Sequence, residues 1–156
     1  GQEEAVCDVI NSTTPPDAIQ CGVNVLNSLG AIGYASIKPN PKLVLDESKK
    51  KDIPILAIRA VQAGALTSKM DREPHPSGFD HPDFADYEKA QPFRELAEDW
   101  GESPASLAHR YALSIDKVGS VILGIKNREE LIECLEAEKK CRLDTEQILT
   151  LENLFN

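Results

Sequence analysis

The sequence predicts an α/β protein with a parallel sheet. Helical and strand-like segments alternate along the chain, and the strand-like segments are short apolar runs of the kind a parallel sheet buries. A third observation sets the scale: only three such runs are visible in 156 residues, whereas an eight-stranded (β/α) barrel needs at least about 200. The chain is therefore either a minimal α/β layer or part of a larger barrel. Its length fits one domain.

Residues 2–11 place Ala5, Val6, Val9 and Ile10 at helical spacing, and Ser12-Thr13-Thr14-Pro15-Pro16 ends that helix. Ala18-Ile19-Gln20-Cys21-Gly22-Val23-Asn24-Val25-Leu26 reads as a buried strand in which Gln20 and Asn24 are polar where a core strand is usually apolar. Residues 42–51 predict an amphipathic helix, followed by the strand Ile53-Pro54-Ile55-Leu56-Ala57-Ile58 with its proline near the start. Residues 59–91 carry Gly64, Pro74, Pro76 and Pro82 with weak periodicity, which predicts a long lid-like loop over about 61–91. Phe93, Leu96, Ala97 and Trp100 then mark a core-facing helix face that stops at Gly101. Ser103-Pro104 caps the next helix, with Leu107, Ala108, Tyr111 and Ala112 on one face. Ser120-Val121-Ile122-Leu123 is the third strand. Asn127 and Glu130 form a capping pattern for a helix over 128–141, and Asp144-Thr145 opens a last helix with Ile148, Leu149, Leu151 and Leu154 on its ridge.

Seventeen Lys and Arg against 26 Asp and Glu leave a formal charge of −9, a sign that repels nucleic-acid phosphates and anionic membrane surfaces. Neither nucleic acid nor membrane is expected as a partner. No apolar run reaches the roughly 20 residues of a spanning helix, and the acidic start Gly-Gln-Glu-Glu is unlike a secretory signal, so the chain reads as cytoplasmic. Cys7, Cys21, Cys134 and Cys141 show no Cys-x-x-Cys spacing and are expected to be free, mostly buried thiols. The sequence begins at Gly1 and its single methionine is Met70, the features of a fragment or a processed product.

Gly124-Ile125-Lys126-Asn127-Arg128, at a strand-to-helix junction, carries the strongest chemical signal. A helix N-terminus offers unpaired amides and a partial positive charge, and Lys126 and Arg128 add cations that suit a phosphate. The alternative there is an ordinary capped helix with solvated cations. Gln20 and Arg59 lie near the ends of the first and second strands, the edge where α/β folds keep ligands, with a hydrogen-bonded Gln and a solvated or salt-bridged Arg as alternatives. His75, Asp80, His81, Asp83 and Asp86 cluster in the long loop but match no zinc spacing, so no metal site is expected. His109 has no Ser, Cys or Asp partner at a diagnostic spacing and reads as structural. No Gly-x-Ser-x-Gly elbow is present.

The run Ile53-Pro-Ile-Leu-Ala-Ile-Arg-Ala-Val-Gln-Ala-Gly-Ala-Leu-Thr-Ser-Lys69 resembles the seventh-strand segment of aldo-keto reductases. The run from Ala18 to Asn27 is similar to the family's sixth strand, and the run from Val121 to Glu133 to its eighth strand and following helix. The resemblance spans nearly the whole chain. It implies a partial (β/α)8 TIM barrel, strands 6 to 8 with their helices, from an enzyme that binds NADP(H) and reduces small aldehydes or ketones.

By the same resemblance Gln20 would hold the nicotinamide carboxamide, and Ile58 would lie where the family usually stacks an aromatic ring. The stretch 59–66, with Arg59, Ala60, Val61, Gly64 and Leu66, would wrap the pyrophosphate. Lys126, Asn127 and Arg128 would approach the 2′-phosphate, beside Gly124, where the lack of a side chain lets ligand and backbone approach closely, and Glu133 the adenine edge. Glu130 stands where Arg or Gln is common, and Cys134 where Asn is usual. The family's Asp, Tyr, Lys and His tetrad belongs to the first half of the barrel and has no counterpart here, so this chain supplies no catalytic residue and is expected to be inactive alone. A missing N-terminal half would complete it, whereas self-association through exposed sheet edges would stabilise a non-catalytic module. The competing readings are a non-catalytic nucleotide-binding or interaction module and an inactive fragment.

Overall fold

Three short strands, each led in by a β-branched residue, form the floor on which the helices pack. The computed structural model describes residues 3–30, 39–70, 73 and 82–156. Strands β1 (Ile19–Gly22), β2 (Ile55–Ile58) and β3 (Val118–Val121) lie side by side in that order, and both pairs are parallel. Pro54 precedes β2 without cost to the ladder. Its carbonyl accepts from Ile19 N at 3.0 Å, and the next amide, Ile55 N, donates to Lys117 O at 2.7 Å. Between β2 and β3 the register slips, with Ile55 opposite Val118 but Leu56 opposite Ser120. Gly119 is the extra residue, and a glycine suits such a bulge.

Side chains alternate across a strand. Ile19, Cys21, Ile55 and Ala57 are buried under helices α1 (Glu3–Ile10), α2 (Pro41–Lys50) and α5 (Pro104–Ser114), which contribute Ile10, Val44 and Ala112. Gln20, Leu56, Ser120 and Ile122 fall on the other face and are exposed. A parallel sheet normally has both faces covered; here the described residues cover one.

A second core joins Phe93 and Ala97 of α4 (Gln91–Asp99), Leu107, Ala108 and Tyr111 of α5, and Leu151 of α7 (Thr145–Asn153) to Val25, Leu26, Ala65 and Leu66 from the strand-following segments. Capping fixes the helix starts as the sequence suggested. Ser103 Oγ accepts from Ser106 N at 3.2 Å, Asn127 caps α6 (Arg128–Lys139) at 2.9 Å, and Asp144 with Gln147 forms a reciprocal capping box at 2.8 and 3.1 Å.

The structure differs from the sequence reading in several places, among them the second strand, which begins at Ile55 after Pro54. The first strand stops at Gly22, because the chain beyond turns to bury Asn24 against Ser28, Arg59 and Gln62. The third strand starts two residues earlier than expected, at Val118. The stretch read as one long loop contains a 3-10 turn, Gln62–Gly64, and a helix, α3 (Pro82–Lys89). The buried anchor of α3 is a charge, Asp83, which a hydropathy pattern counts as surface. Of the four thiols only Cys21 is buried, while Cys7 and Cys134 are half-buried and Cys141 is exposed. Among the described residues, no helix is long and apolar enough to cross a membrane.

Candidate functional site

The backbone leaving β2 bends sharply. Arg59, Gln62 and Ala63 have φ of 59°, 46° and 55°, and Gly64 follows at 98°. Three non-glycine residues in the left-handed region within six positions carry strain that surrounding contacts must hold. Those contacts form one buried network. Arg59 Nε donates to Gln62 Oε1 at 2.9 Å, and its guanidinium pairs with Asp83 Oδ1 at 2.6 Å. Gln62, fully buried, donates to Asp86 Oδ2 at 2.7 Å and to Ser28 Oγ at 3.2 Å. Asn24 Nδ2 reaches Ser28 O, Arg59 O and Gln62 Oε1 at 2.8, 3.2 and 3.3 Å. Asp83 and Asp86, read from the sequence as solvated loop acids, thus tie α3 to the ends of two strands. His75, Asp80 and His81 lie outside the described residues.

This network shapes one wall of a cavity of about 640 Å³ at the C-terminal ends of β2 and β3. Arg59, Ala60, Val61 and Gly64 line that wall. Across from them stand Gly124 and Lys126 from the segment after β3, and Glu133 from α6. Seven of the residues singled out from the sequence therefore meet in one place. The other five do not line it. Leu66 is buried in the second core, and Asn127 and Arg128 sit exposed at the start of α6. Gln20 and Ile58 lie on the uncovered face of the sheet, Gln20 opposite Leu56 and Ile58 opposite Gly22.

At the α6 N-terminus, backbone amides are already engaged by side chains. Glu130 Oε2 accepts from Lys126 N at 2.8 Å, while Asn127 Oδ1 accepts from Glu130 N at 2.9 Å. Gly124 has open space where a Cβ would stand, so a ligand can approach its backbone. Glu133 accepts from the Ser103 hydroxyl, which joins the starts of α5 and the middle of α6.

Two cavity residues were missed from the sequence as partners. His109 Nε2 of α5 lies 3.1 Å from Cys134 Sγ of α6, so His109, read as lacking any Cys partner, has one. Their separation of 25 positions matches no sequence motif, and only the packing of α5 on α6 brings them together. Burial pulls the imidazole below its ordinary range, partly opposed by Glu133, and pushes the thiol up, reinforced by Glu133 and Glu130. The pair is neutral near pH 7. Among the described residues no three His, Cys, Asp or Glu side chains converge as a metal set.

Known structures share this architecture. An aldo-keto reductase from Bacillus halodurans superposes with a TM-score of 0.69 in its apo form and 0.68 in its holo form, at 16% identity, covering 97% of this chain and 47% and 46% of theirs. A glycerol dehydrogenase from Gluconobacter oxydans gives 0.63 at 20% identity, covering 88% of this chain and 41% of its own. The chain thus spans about half the length of the structures it matches. Among curated proteins no sequence matches significantly. Residues 5–156 match the model of the aldo/keto reductase family, and the chain belongs to that family.

Proposed function

We propose that the chain is the C-terminal, cofactor-binding half of an NADP(H)-dependent reductase of aldehydes or ketones, carrying strands 6 to 8 of its barrel. The observation that carries this reading is the cavity in which the strained segment after β2 meets the segment after β3 and α6. Its volume of about 640 Å³ falls in the range of small-molecule sites. The uncovered sheet face supports the half-barrel reading, because in a closed barrel that face would be the interior.

The residues fit a dinucleotide in two zones. Lys126, Asn127 and Arg128 at the α6 N-terminus would bind the 2′-phosphate with Gly124 allowing close approach, and Glu133 would meet the adenine edge. The backbone of residues 59–66 would wrap the pyrophosphate, held in shape by Asp83, Gln62 and Asn24. Gln20 and Ile58, on the uncovered face, would bind the nicotinamide carboxamide and ring. The bound nicotinamide would supply the hydride. Among the described residues neither tyrosine is placed to give it a proton, since the Tyr87 hydroxyl donates to Ser68 O at 3.2 Å and that of Tyr111 to Glu152 at 3.0 Å. The chain alone is expected to bind the cofactor and not to turn over.

NADPH titration followed by fluorescence tests this. Saturable binding, weakened about tenfold in the Lys126→Ala, Arg128→Ala double variant, is the expected result. A chain that is folded by circular dichroism yet binds no NADPH would reject the reading. In that case the non-catalytic interaction module, favoured by the exposed apolar residues of α6 and of the segment after β3, would replace it, and light scattering would show whether copies associate.

A further inference from the structure

Cys134 and His109 form a nucleophile and base within hydrogen-bond distance, 3.1 Å, in the wall of the cavity. Nothing in the proposed cofactor role uses either. The thiol is half-buried and reaches the cavity, while the imidazole is 7% exposed and set in α5. Ile122, Leu123 and Ile125 line the same cavity and are 46%, 38% and 44% exposed, an apolar surface for an alkyl chain. Lys69 and Lys126 line it as well, cations of the sign that a developing enolate oxygen needs.

We propose that Cys134, with His109 as its base, is a covalent capture site for α,β-unsaturated aldehydes and ketones bearing an apolar chain. A thiol is a soft nucleophile suited to an electron-poor alkene, and a neighbouring neutral imidazole activates it without a standing thiolate. The sulfur forms a bond to the β-carbon as the carbon–carbon π bond breaks, and the electron pair moves onto the carbonyl oxygen as an enolate. The thiol proton passes to His109 Nε2 and from there to the α-carbon. The product is a thioether, and no oxidant, reductant or leaving group is involved. The site shares its cavity and Lys126 with the nucleotide reading, but capture is measured without cofactor, so the two readings fail separately.

The charged groups facing the pair are Glu130 and Glu133 of α6, Lys126 before it, and Arg59 and Lys69 from the segment after β2. A base-assisted thiol reacts in proportion to neutral imidazole. Since His109 lies below its ordinary 6.5, the Cys134 rate is expected to be flat between about pH 6.5 and 8. A thiol that reacts without a base gains about tenfold per pH unit while it is largely protonated.

The test incubates the intact chain with trans-2-octenal, fixes adducts with borohydride and measures each cysteine peptide by mass spectrometry. The proposal expects a flat Cys134 profile, a roughly tenfold slower Cys134 in His109→Gln, and at any one pH the same Cys141 rate in the two chains. A Cys134 rate that climbs about tenfold per pH unit overturns it, as does an equal Cys134 rate in a folded His109→Gln variant. The pH profile uses the native chain, so it decides the matter even if the variant fails to fold.

Discussion

The two sides of the molecule are built to different standards. Around α4, α5 and α7 most apolar residues are sealed, with Phe93, Ala97, Leu107 and Leu151 at 0% exposure, although Leu149 of α7 faces solvent. Around β3 and α6 they are open. Leu131, Ile132 and Leu135 are 37%, 47% and 52% exposed, and Ala137 is the one buried residue of α6. Hydrophobic burial stabilises in proportion to the area removed from water, so the closed side holds the fold while the open side contributes little to it. The cavity sits on the boundary. Its β2 wall is braced by the closed side, and its β3 wall belongs to the open side. The difference teaches that site geometry and covering surface are supplied by separate parts of the chain.

The largest test of this contrast is truncation on each side. Phe93→Ala removes a fully buried ring and is expected to cost about 3–5 kcal/mol in urea denaturation. Leu135→Ala, half exposed, is expected to cost below about 1 kcal/mol. Equal losses would mean that the α6 face is covered in solution, and the contrast would fail.

Next in size is Asp83→Asn. The Asp83 side chain is 1% exposed and that of Arg59 14%, and breaking such a pair leaves a charge with poor solvation. The variant is expected to lose about 3 kcal/mol and also to loosen the strained turn at residues 59–64. The diagnostic outcome is a loss of NADPH affinity larger than that of Phe93→Ala when both chains are held below their melting range. An undisturbed affinity would show that the β2 wall keeps its shape without α3.

These residues also show how far the sequence could be read. The helix starts at Ser103, Asn127 and Asp144 were legible because capping is local chemistry. The three strands and their order were legible because apolar runs are short and punctuated, although each end strand was placed two or more residues off by its tertiary setting. The polar network was only half visible. Asn24 stood out as a polar residue in an apolar run, but its partners Arg59 and Gln62 lie 35 and 38 positions away, and Asp83 and Asp86, which bind those two in turn, stand in the same stretch without periodicity. The His109 and Cys134 contact had no local signal at all, since it depends on how two helices pack.

Glu130→Gln sharpens the contrast on the open side. Its carboxylate accepts from Lys126 N at 2.8 Å and from Asn127 Nδ2 at 3.3 Å, and so puts a negative charge where a phosphate would bind. The amide keeps an acceptor and removes the charge. NADPH is expected to bind about three- to tenfold tighter at low salt, with the gain shrinking at higher ionic strength and smaller for NADH. Equal gains for the two cofactors would place the 2′-phosphate elsewhere.

The smallest expected effect is a pH dependence at the junction of the two sides. Burial holds the His109 imidazole below its ordinary 6.5, so in the window beneath that value the unfolded chain binds a proton that the folded chain does not. Stability should therefore rise with pH up to about 6.5 and level off above it, and this part of the rise should vanish in His109→Gln. Urea midpoints measured at intervals from pH 5 to 8 on both chains would show it. Identical slopes for the two would mean that solvent reaches the imidazole, which would move the boundary of the open side inward from α6 to α5. A slope present in the native chain alone would fix the α5 and α6 contact as the edge of the sealed region, with the cavity wall at Cys134 standing just outside it.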